Sequence, residues 1–224
     1  MVTRCPVEIL PLESAQDFNV SARDSMQLSI YRNHQAFFDL KSSEWKFSDD
    51  ECQQALRIFQ GIHFSPKSTI LDVGCGTGCL FPILEEISPL STIIGCDFSF
   101  GMLKNSRQTK GNSRIPIVQC FGEMLPLKSG SFDILLNYCV FPHLKYKETA
   151  VREFNRVLKK GGSYYIIHPQ GRNQINSIHH SIGDPVNNDL IPPTEEIIDL
   201  LKRNLYSIRQ VNDCDDLFLI EATK

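Results

Sequence analysis

The segment Leu71–Gly78, which reads LDVGCGTG, places three glycines at alternate positions after a short apolar run. Glycines in such a turn let the backbone fold tightly and let a ligand approach closely. The N–H groups at the start of the next helix favour negative charge or acceptor oxygens. The spacing departs by one residue from the G-x-G-x-x-G of dinucleotide sites, and no Gly-Lys-Ser/Thr of a P-loop follows. We predict a nucleotide-like ligand here; a glycine turn without a ligand is the alternative.

Asp97 lies 19 residues after Gly78, at the end of a second run that is rich in β-branched residues. A carboxylate at this position can accept hydrogen bonds from both ribose hydroxyls of a nucleoside that lies across the strand ends. The alternative is that Asp97 caps the next helix, because Ser99 and a helical pattern follow. Together with the glycine turn, Asp97 predicts a nucleoside site.

Tyrosine and histidine residues follow the predicted fourth and fifth strands. Tyr138 and His143 come after the fourth strand, and His168 comes after the fifth. Ligands of open α/β sheets bind outside the carboxyl ends of the strands, where these residues are expected. One hypothesis is that His143 and His168 converge with a third histidine, His179 or His180, to bind a metal or to take a proton from a substrate. The alternative is that they are hydrogen-bonded loop residues that shape the pocket.

Strand and helix patterns alternate over most of the chain, which predicts a parallel sheet covered by helices on both faces. Two strand-like runs near the end are joined by a short acidic turn, so the last strand is expected to run antiparallel. The predicted strands are Thr69–Val73, Ser91–Cys96, Ile115–Phe121, Phe132–Asn137, Ser163–Ile167, Tyr206–Val211 and Leu217–Ala222. The predicted helices are Ser29–Trp45, a helix from Ser48 to Gly61 with Glu51 in a capping box, Gly78–Ile87, Ser99–Thr109, Lys147–Leu158 ended by Gly161-Gly162, and Thr194–Asn204.

The composition is that of an ordinary globular protein, with 42% hydrophobic and 22% charged residues among 224. The net charge of −3 gives no basic excess of the kind that nucleic-acid binding needs. No apolar run is long enough for a transmembrane helix, and the N-terminus lacks a secretory signal, so no membrane partner is expected. The eight cysteines show no C-x-x-C pair, which favours reduced thiols in a cytoplasmic protein.

Four stretches carry a resemblance to a known family: Ile70–Gly78, Ile94–Leu103, Gly122–Leu136 and Glu153–Ile167. They resemble class I S-adenosylmethionine-dependent methyltransferases, in particular the small-molecule branch that includes the quinone-biosynthesis C-methyltransferases. The resemblance implies S-adenosyl-L-methionine as cofactor and S-adenosyl-L-homocysteine as product. It also implies a Rossmann-like, seven-stranded, mostly parallel sheet with helices on both faces and an antiparallel last strand.

The resemblance implies cofactor-binding residues along the strand ends: Asp72, Gly74, Gly76, Gly78, Asp97, Phe98, Met102, Phe121, Gly122 and Asn137. The first two glycines would pack against the methionine part, and Asp72 would orient its amino group through water. Asp97 would hold the ribose, while Phe98 and Met102 would flank the adenine. Asn137 would present its backbone to the amino group.

Phe121 departs from the family pattern, because many relatives carry an aspartate there that accepts from the adenine amino group. Phenylalanine cannot accept a hydrogen bond. The backbone of Gly122 or a stacking contact must therefore serve, or adenine binding is weaker.

The N-terminal part is rich in aromatic residues and resembles the lid that the family folds over its cofactor: Tyr31, His34, Phe37, Phe38 and Trp45. Closure of such a lid would exclude water from the sulfonium; ordinary packing on the core is the alternative. We expect residues 1–64 to form a helical lid segment. Residues 65–224 would form the core, with a substrate-side insert at about 170–193.

These features predict methyl transfer to a small-molecule acceptor by in-line displacement. The protein then supplies proximity and alignment, and a base only if the acceptor must lose a proton. The candidates on the acceptor side are Tyr138, His143 and His168. One alternative is a non-catalytic sensor of S-adenosylmethionine or of a metal ligand on the same fold. Another is a nicotinamide-dependent oxidoreductase, which the glycine spacing disfavours.

Overall fold

The computed structural model describes Glu8, residues 22–109 and residues 114–224. The strands are β1 (Thr69–Val73), β2 (Thr92–Asp97), β3 (Ile117–Gln119), β4 (Phe132–Tyr138), β5 (Leu158–His168), β6 (Ser207–Cys214) and β7 (Leu217–Thr223). The helices are α1 (Ala22–Lys41), α2 (Asp49–Gln60), α3 (Phe81–Ile87), α4 (Phe100–Gln108), α5 (Lys147–Val157), α6 (Arg172–Ile182) and α7 (Thr194–Arg203). Within these described ranges, no helix combines the length and apolar character that crossing a bilayer requires.

The seven strands form one sheet in the order β3-β2-β1-β4-β5-β7-β6. β1 to β5 run parallel, and β7 is antiparallel to both of its neighbours. The predicted mostly parallel sheet with an antiparallel last strand is confirmed. Because β1 lies centrally and pairs with β2 and β4, the carboxyl ends of these three strands meet at one edge of the sheet, where the order of connections reverses. Such an edge is where ligands bind in open α/β sheets.

Alternate residues of β1 enter two separate buried clusters, as the period of a strand requires. Leu71 packs with Phe154 of α5 on one face of the sheet, and Ile70 packs with Phe59 of α2 on the other. Both faces of the sheet are therefore covered by helices, as predicted. The near-continuous burial of β1 and β2 is typical of strands in such a sandwiched sheet.

The predicted capping box of α2 is present and fixes the start of this helix. The Ser48 hydroxyl accepts from the Glu51 N–H, and the Glu51 carboxylate accepts from the Ser48 N–H at 2.7 Å. Gly61 is the C-cap, so the predicted end of this helix is confirmed as well. The short-range signals for α2 are strong because both caps lie within four residues of the groups they satisfy.

The predicted boundaries of three other elements are wrong. α1 was expected over Ser29–Trp45, but it begins at Ala22 and ends at Lys41. α3 was expected from Gly78 and begins three residues later, because Gly78 has a φ of +74° that a right-handed helix cannot include. The third strand was expected over Ile115–Phe121, but only its central residues pair with β2.

Two further corrections concern the second half of the chain. The polar segment 170–193, for which the sequence predicts no helix, contains α6. Gly161 was expected to end α5, but it lies inside β5 with a φ of +81°. The register of β4 against β5 shifts at this point, so Gly161 belongs to a bulge.

Phe154→Ala tests the packing of α5 on the sheet. The Phe154 ring is fully buried and lies 5.4 Å from the ring of Tyr164. We expect a loss of about 3–5 kcal/mol in the free energy of unfolding, measured by urea denaturation. Phe100→Ala, at a position that is 61% exposed, is the control and should change stability by less than about 1 kcal/mol. Equal losses in the two variants would contradict the packing described here.

Candidate functional site

The glycine turn that follows β1 is held against the end of β2. The N–H groups of Gly74 and Cys75 both donate to the carbonyl of Cys96, at 2.7 and 3.0 Å. Gly74 has a φ of +74° and Gly76 a φ of +54°, a region that favours glycine. A Cβ on Gly74 would lie 2.3 Å from a methyl carbon of Val140. Position 74 therefore requires glycine for its conformation and for its contact.

Asp97 connects this turn to the start of α4. Its Oδ2 accepts from the Gly76 N–H at 2.9 Å, and its Oδ1 accepts from the Ser99 N–H at 2.8 Å. The alternative that Asp97 caps α4 is wrong, because Ser99 is the N-cap and accepts from the Met102 N–H. A carboxylate oxygen can accept more than one hydrogen bond, so Asp97 retains capacity for a ligand.

Asp72 is buried at the end of β1, and its Oδ2 has no hydrogen-bond partner among the described residues. Burial, together with the charge of Asp97, raises the pKa of Asp72 to about 7. Burial also raises the pKa of Asp97 to about 6, against the hydrogen bonds from Ser99 and Gly76. An unpartnered buried carboxylate oxygen is costly unless a ligand or water donates to it. The site therefore suits a ligand with donor groups or positive charge.

Two adjoining cavities open at this edge of the sheet. The first has about 690 Å³ of space including its opening, and six predicted cofactor residues line it: Asp72, Gly74, Gly76, Asp97, Phe98 and Met102. The second has about 460 Å³, and both Phe121 and Gly122 line it. The two share Gly74, Asp97, Phe98, Val140 and His143. Volumes of this size are typical of small-molecule sites.

Aromatic rings surround the second cavity. The ring of Phe121 lies 4.6 Å from that of Tyr31 and 5.9 Å from that of Phe98. These rings offer apolar surface and stacking faces to a planar group. Glu123, which the sequence did not single out, also lines this cavity, and its Oε1 accepts from the backbone N–H of Lys145. The one feature of the sequence that could have indicated a site role for Glu123 is its position two residues after Phe121.

Helix α1 lies over the carboxyl ends of the strands. The Gln35 side chain donates to the carbonyl of Phe98 at 3.1 Å. The Asp39 carboxylate accepts from the Ser99 hydroxyl at 2.5 Å and from the Gly101 N–H at 2.8 Å. A carboxylate at the start of α4 is also favoured by the dipole of that helix. α1 contributes Phe38 to the first cavity and both Tyr31 and His34 to the second.

Of the four candidate histidines, His143 is the one that lines these cavities. His143 lines both of them, and its Nδ1 lies 2.8 Å from the Asp189 carboxylate. The ring of His179 lies 4.8 Å from the ring of His143. His168 is buried with its Nε2 unpartnered among the described residues, while His180 is exposed.

The geometry brings three of the four candidate histidines together. Burial, with smaller effects from His143 and His179, lowers the pKa of His168 to about 3. His168 is therefore neutral at physiological pH. It lines neither cavity. Over the described residues, no group of three or more His, Cys, Asp or Glu side chains is arranged to hold a metal ion.

The region that contains the glycine turn, Asp97 and the two later stretches of the resemblance matches a known domain. Residues 71–166 match the family described as "Methyltransferase domain". Less than half of the chain lies in this match, and the matched part is a methyltransferase domain. The match begins in β1 and ends in β5, so it contains the glycine turn, Asp97 and His143. The cofactor of such a domain is S-adenosyl-L-methionine.

Curated relatives match this chain over part of their own length. Malonyl-[acyl-carrier protein] O-methyltransferase of Legionella pneumophila is 31% identical over 110 residues, 47% of this chain and 38% of the relative. The ubiquinone/menaquinone biosynthesis C-methyltransferase of Xanthomonas axonopodis pv. citri is 30% identical over 165 residues, 66% of this chain and 61% of the relative. The chain therefore spans less than two thirds of each of these relatives.

Solved structures share the fold. A chain from the complex between the Haloferax volcanii Trm112 methyltransferase activator and the putative methyltransferase superposes with a TM-score of 0.68 at 15% identity. The superposition covers 83% of this chain and 96% of that one. At this identity the likeness concerns the fold alone.

Three other residues of the predicted site have contacts or a position that differ from the predicted role. Gly78 and Asn137 line neither cavity. The Asn137 side chain accepts from the hydroxyl of Tyr164 at 2.6 Å and donates to the carbonyl of Val73. Tyr138 lines the first cavity, and burial raises its pKa far above the ordinary value. The Tyr138 hydroxyl therefore stays protonated and is unsuited to act as a base.

The raised pKa of Asp72 predicts pH-dependent binding of S-adenosylhomocysteine. Ionised Asp72 attracts the ammonium group of the ligand. Its pKa is about 7, so at lower pH the carboxyl is protonated and loses that charge. We expect affinity to rise at least about tenfold between pH 5.5 and pH 8 in calorimetry, because one pKa unit corresponds to about 1.4 kcal/mol. Asp72→Asn should bind weakly and keep only the smaller dependence that Asp97 contributes. The exposed Asp50→Asn is the control; a wild-type affinity that does not vary with pH would contradict the prediction.

Gly74→Ala tests the close contact between the glycine turn and Val140. The added Cβ meets the Val140 side chain, so the turn must move, and we expect S-adenosylhomocysteine affinity to fall more than about tenfold. Gly130→Ala is the matched control, since Gly130 has a φ of +64° but no atom within 4 Å of an added Cβ. It should cost about 1–2 kcal/mol of stability from backbone strain and leave affinity unchanged. Equal affinities for the two variants would show that the turn does not contact the ligand.

Proposed function

We propose that this methyltransferase transfers a methyl group from S-adenosylmethionine to a small-molecule acceptor. The observation that carries the proposal is one covered space at the strand ends. The glycine turn, Asp72 and Asp97 line its inner side, and α1 lies across it. His143 lines both parts of this space, on the side where an acceptor would enter.

The residues present fit the cofactor. The unpartnered oxygen of Asp72 suits an amino group, reached directly or through water, and Asp97 suits the ribose hydroxyls. The glycine turn would accommodate the methionine part, and Phe98 with Phe121 would enclose the adenine. S-adenosylmethionine, when bound, supplies a methyl group already activated by its sulfonium charge. The protein then aligns the acceptor and excludes water.

A small acceptor is supported by the size of the space and by its cover. The cavities measure about 690 and 460 Å³ including their openings, and side chains of α1 line both of them. The net charge of −3 offers no broad basic surface for RNA or DNA. The quinone-biosynthesis relative also bears a name that refers to a small molecule. A macromolecular acceptor or a protein activator is the competing possibility that the experiment below decides.

In this proposal α1 acts as the lid of the predicted segment 1–64, of which residues 1–7 and 9–21 lie outside the described part of the chain. α2 packs on the sheet and belongs with residues 65–224 to the core. α1 contacts the cofactor side through Phe38 and is held by polar contacts at Gln35 and Asp39. The segment 170–193 forms the acceptor side, because His179 and Asp189 come from it and meet His143. Opening of α1 would admit the acceptor, and closure would remove water.

Two experiments test the proposal: ligand binding by calorimetry, and methyl labelling of fractionated cell extract. Calorimetry should give binding of S-adenosylmethionine and S-adenosylhomocysteine but not of NAD. The chain is then incubated with methyl-labelled S-adenosylmethionine and cell extract that has been separated into small-molecule, RNA and protein fractions. We expect label in the small-molecule fraction, and none with Asp97→Ala. Label confined to RNA or protein would contradict the small acceptor, and binding of NAD alone would contradict the methyl donor.

A further inference from the structure

Asp189 is a buried carboxylate that three basic side chains surround. It lies between α6 and α7 and is 3% exposed. Its Oδ2 accepts from His143 Nδ1 at 2.8 Å and from His34 Nε2 at 3.1 Å, and its Oδ1 pairs with the Lys145 ammonium. Burial alone would raise the pKa of Asp189, but the hydrogen bonds from these groups outweigh it and hold that pKa well below its usual range. Asp189 is therefore ionised at physiological pH.

An ionised carboxylate only accepts hydrogen bonds, so the proton of the His143 ring is on Nδ1. Burial lowers the pKa of His143, and the hydrogen bond that His143 donates to Asp189 opposes this only in part. The ring is then neutral near pH 7, and Nε2 carries a lone pair. No hydrogen-bond partner of Nε2 is found among the described residues, and the side chain keeps 14% exposure while lining both cavities.

The other groups around this pair preserve the arrangement. Nδ1 of His179 contacts the backbone carbonyl of Asp189, and its ring lies 4.8 Å from that of His143. The Lys147 ammonium is close enough to interact electrostatically with Asp189 and donates to the carbonyls of Pro142 and Leu144. These groups, with Lys145, favour the charge of Asp189 and disfavour a second proton on His143. Glu123 is the remaining carboxylate nearby, and backbone N–H groups at 145 and 146 occupy its Oε1.

We propose that Asp189 is a positioning residue, which holds His143 with Nε2 free to take a proton from the methyl acceptor. This inference rests on the proposed function and narrows the acceptor to one with an O–H, S–H or N–H nucleophile. The acceptor's X–H bond breaks, its proton goes to Nε2, and its electron pair forms the bond to the methyl carbon. The electron pair of the broken C–S bond stays on sulfur. His143 later returns the proton to solvent.

The hydrogen-bonding groups of an amide make Asp189→Asn a direct test of this inference. The amide offers one oxygen and one NH₂, and the Lys145 ammonium, which only donates, requires the oxygen. The NH₂ then faces Nδ1 of His143, which must become an acceptor, so the ring proton moves to Nε2. The shape of residue 189 is kept, but the free lone pair no longer faces the cavities. Asp184→Asn, an exposed carboxylate of the same segment, is the control.

The first measurement is the tautomer of His143, from ¹⁵N NMR of the side chain with S-adenosylhomocysteine bound at pH 7. We expect the proton on Nδ1 in the wild type and in Asp184→Asn, and on Nε2 in Asp189→Asn. A wild-type ring with its proton on Nε2, or one that is doubly protonated, overturns the inference. This result needs no acceptor, and the wild-type spectrum decides it even if Asp189→Asn does not fold.

The second measurement uses the fraction that the chain labels with methyl groups. We expect kcat to fall about 100-fold or more in Asp189→Asn and in His143→Gln, since general bases contribute about 10²–10⁴-fold, with the KM for S-adenosylmethionine unchanged. The wild-type rate should fall on acidification as His143 gains a second proton. The pH–rate profile of His143→Gln should lack this acidic decrease. Unchanged kcat in both variants, or a loss confined to KM, overturns the inference. Absence of label in every fraction would instead count against the proposed function, while the NMR result still decides the tautomer.

Discussion

The Asp97 carboxylate is the contact on which the rest of the site depends. It joins the Gly76 N–H of the glycine turn to the Ser99 N–H before α4, and so fixes the ends of β1 and β2 relative to each other. The nearby Asp72 is buried, with one oxygen unpartnered among the described residues. Two buried carboxylates in one pocket lower the stability of the empty fold. A ligand with hydroxyl and ammonium donors would satisfy both, which is why functional sites retain such groups.

A second carboxylate, Asp189, connects parts of the chain that are distant in sequence. It brings α1 to the loop after β4 and to the segment before α7. α1 is attached by side-chain contacts of this kind and by aromatic packing, such as that of Phe38 against Phe98, and not by sheet pairing. A helix held in this way can leave without breaking the sheet, as the proposed lid role requires.

Sequence patterns predicted the elements whose signals are local. β1, β2 and α2 combine continuous apolar runs or caps with short-range partners, and their positions are confirmed. α6 was missed because only Ile175 and His179 of its eleven residues are buried, too few to give a helical period. Asp189 was missed because its partners His34 and His143 lie 155 and 46 residues away. No local pattern reports a contact that only the folded chain creates.

The proposed function requires that S-adenosylmethionine binds across the glycine turn with its ribose on Asp97. A crystal structure of the chain with S-adenosylhomocysteine tests this most directly. We expect both ribose hydroxyls within hydrogen-bond distance of the Asp97 carboxylate, the amino group beside Asp72, and the adenine between Phe98 and Phe121. Ligand density elsewhere, or a ribose that does not touch Asp97, would contradict it.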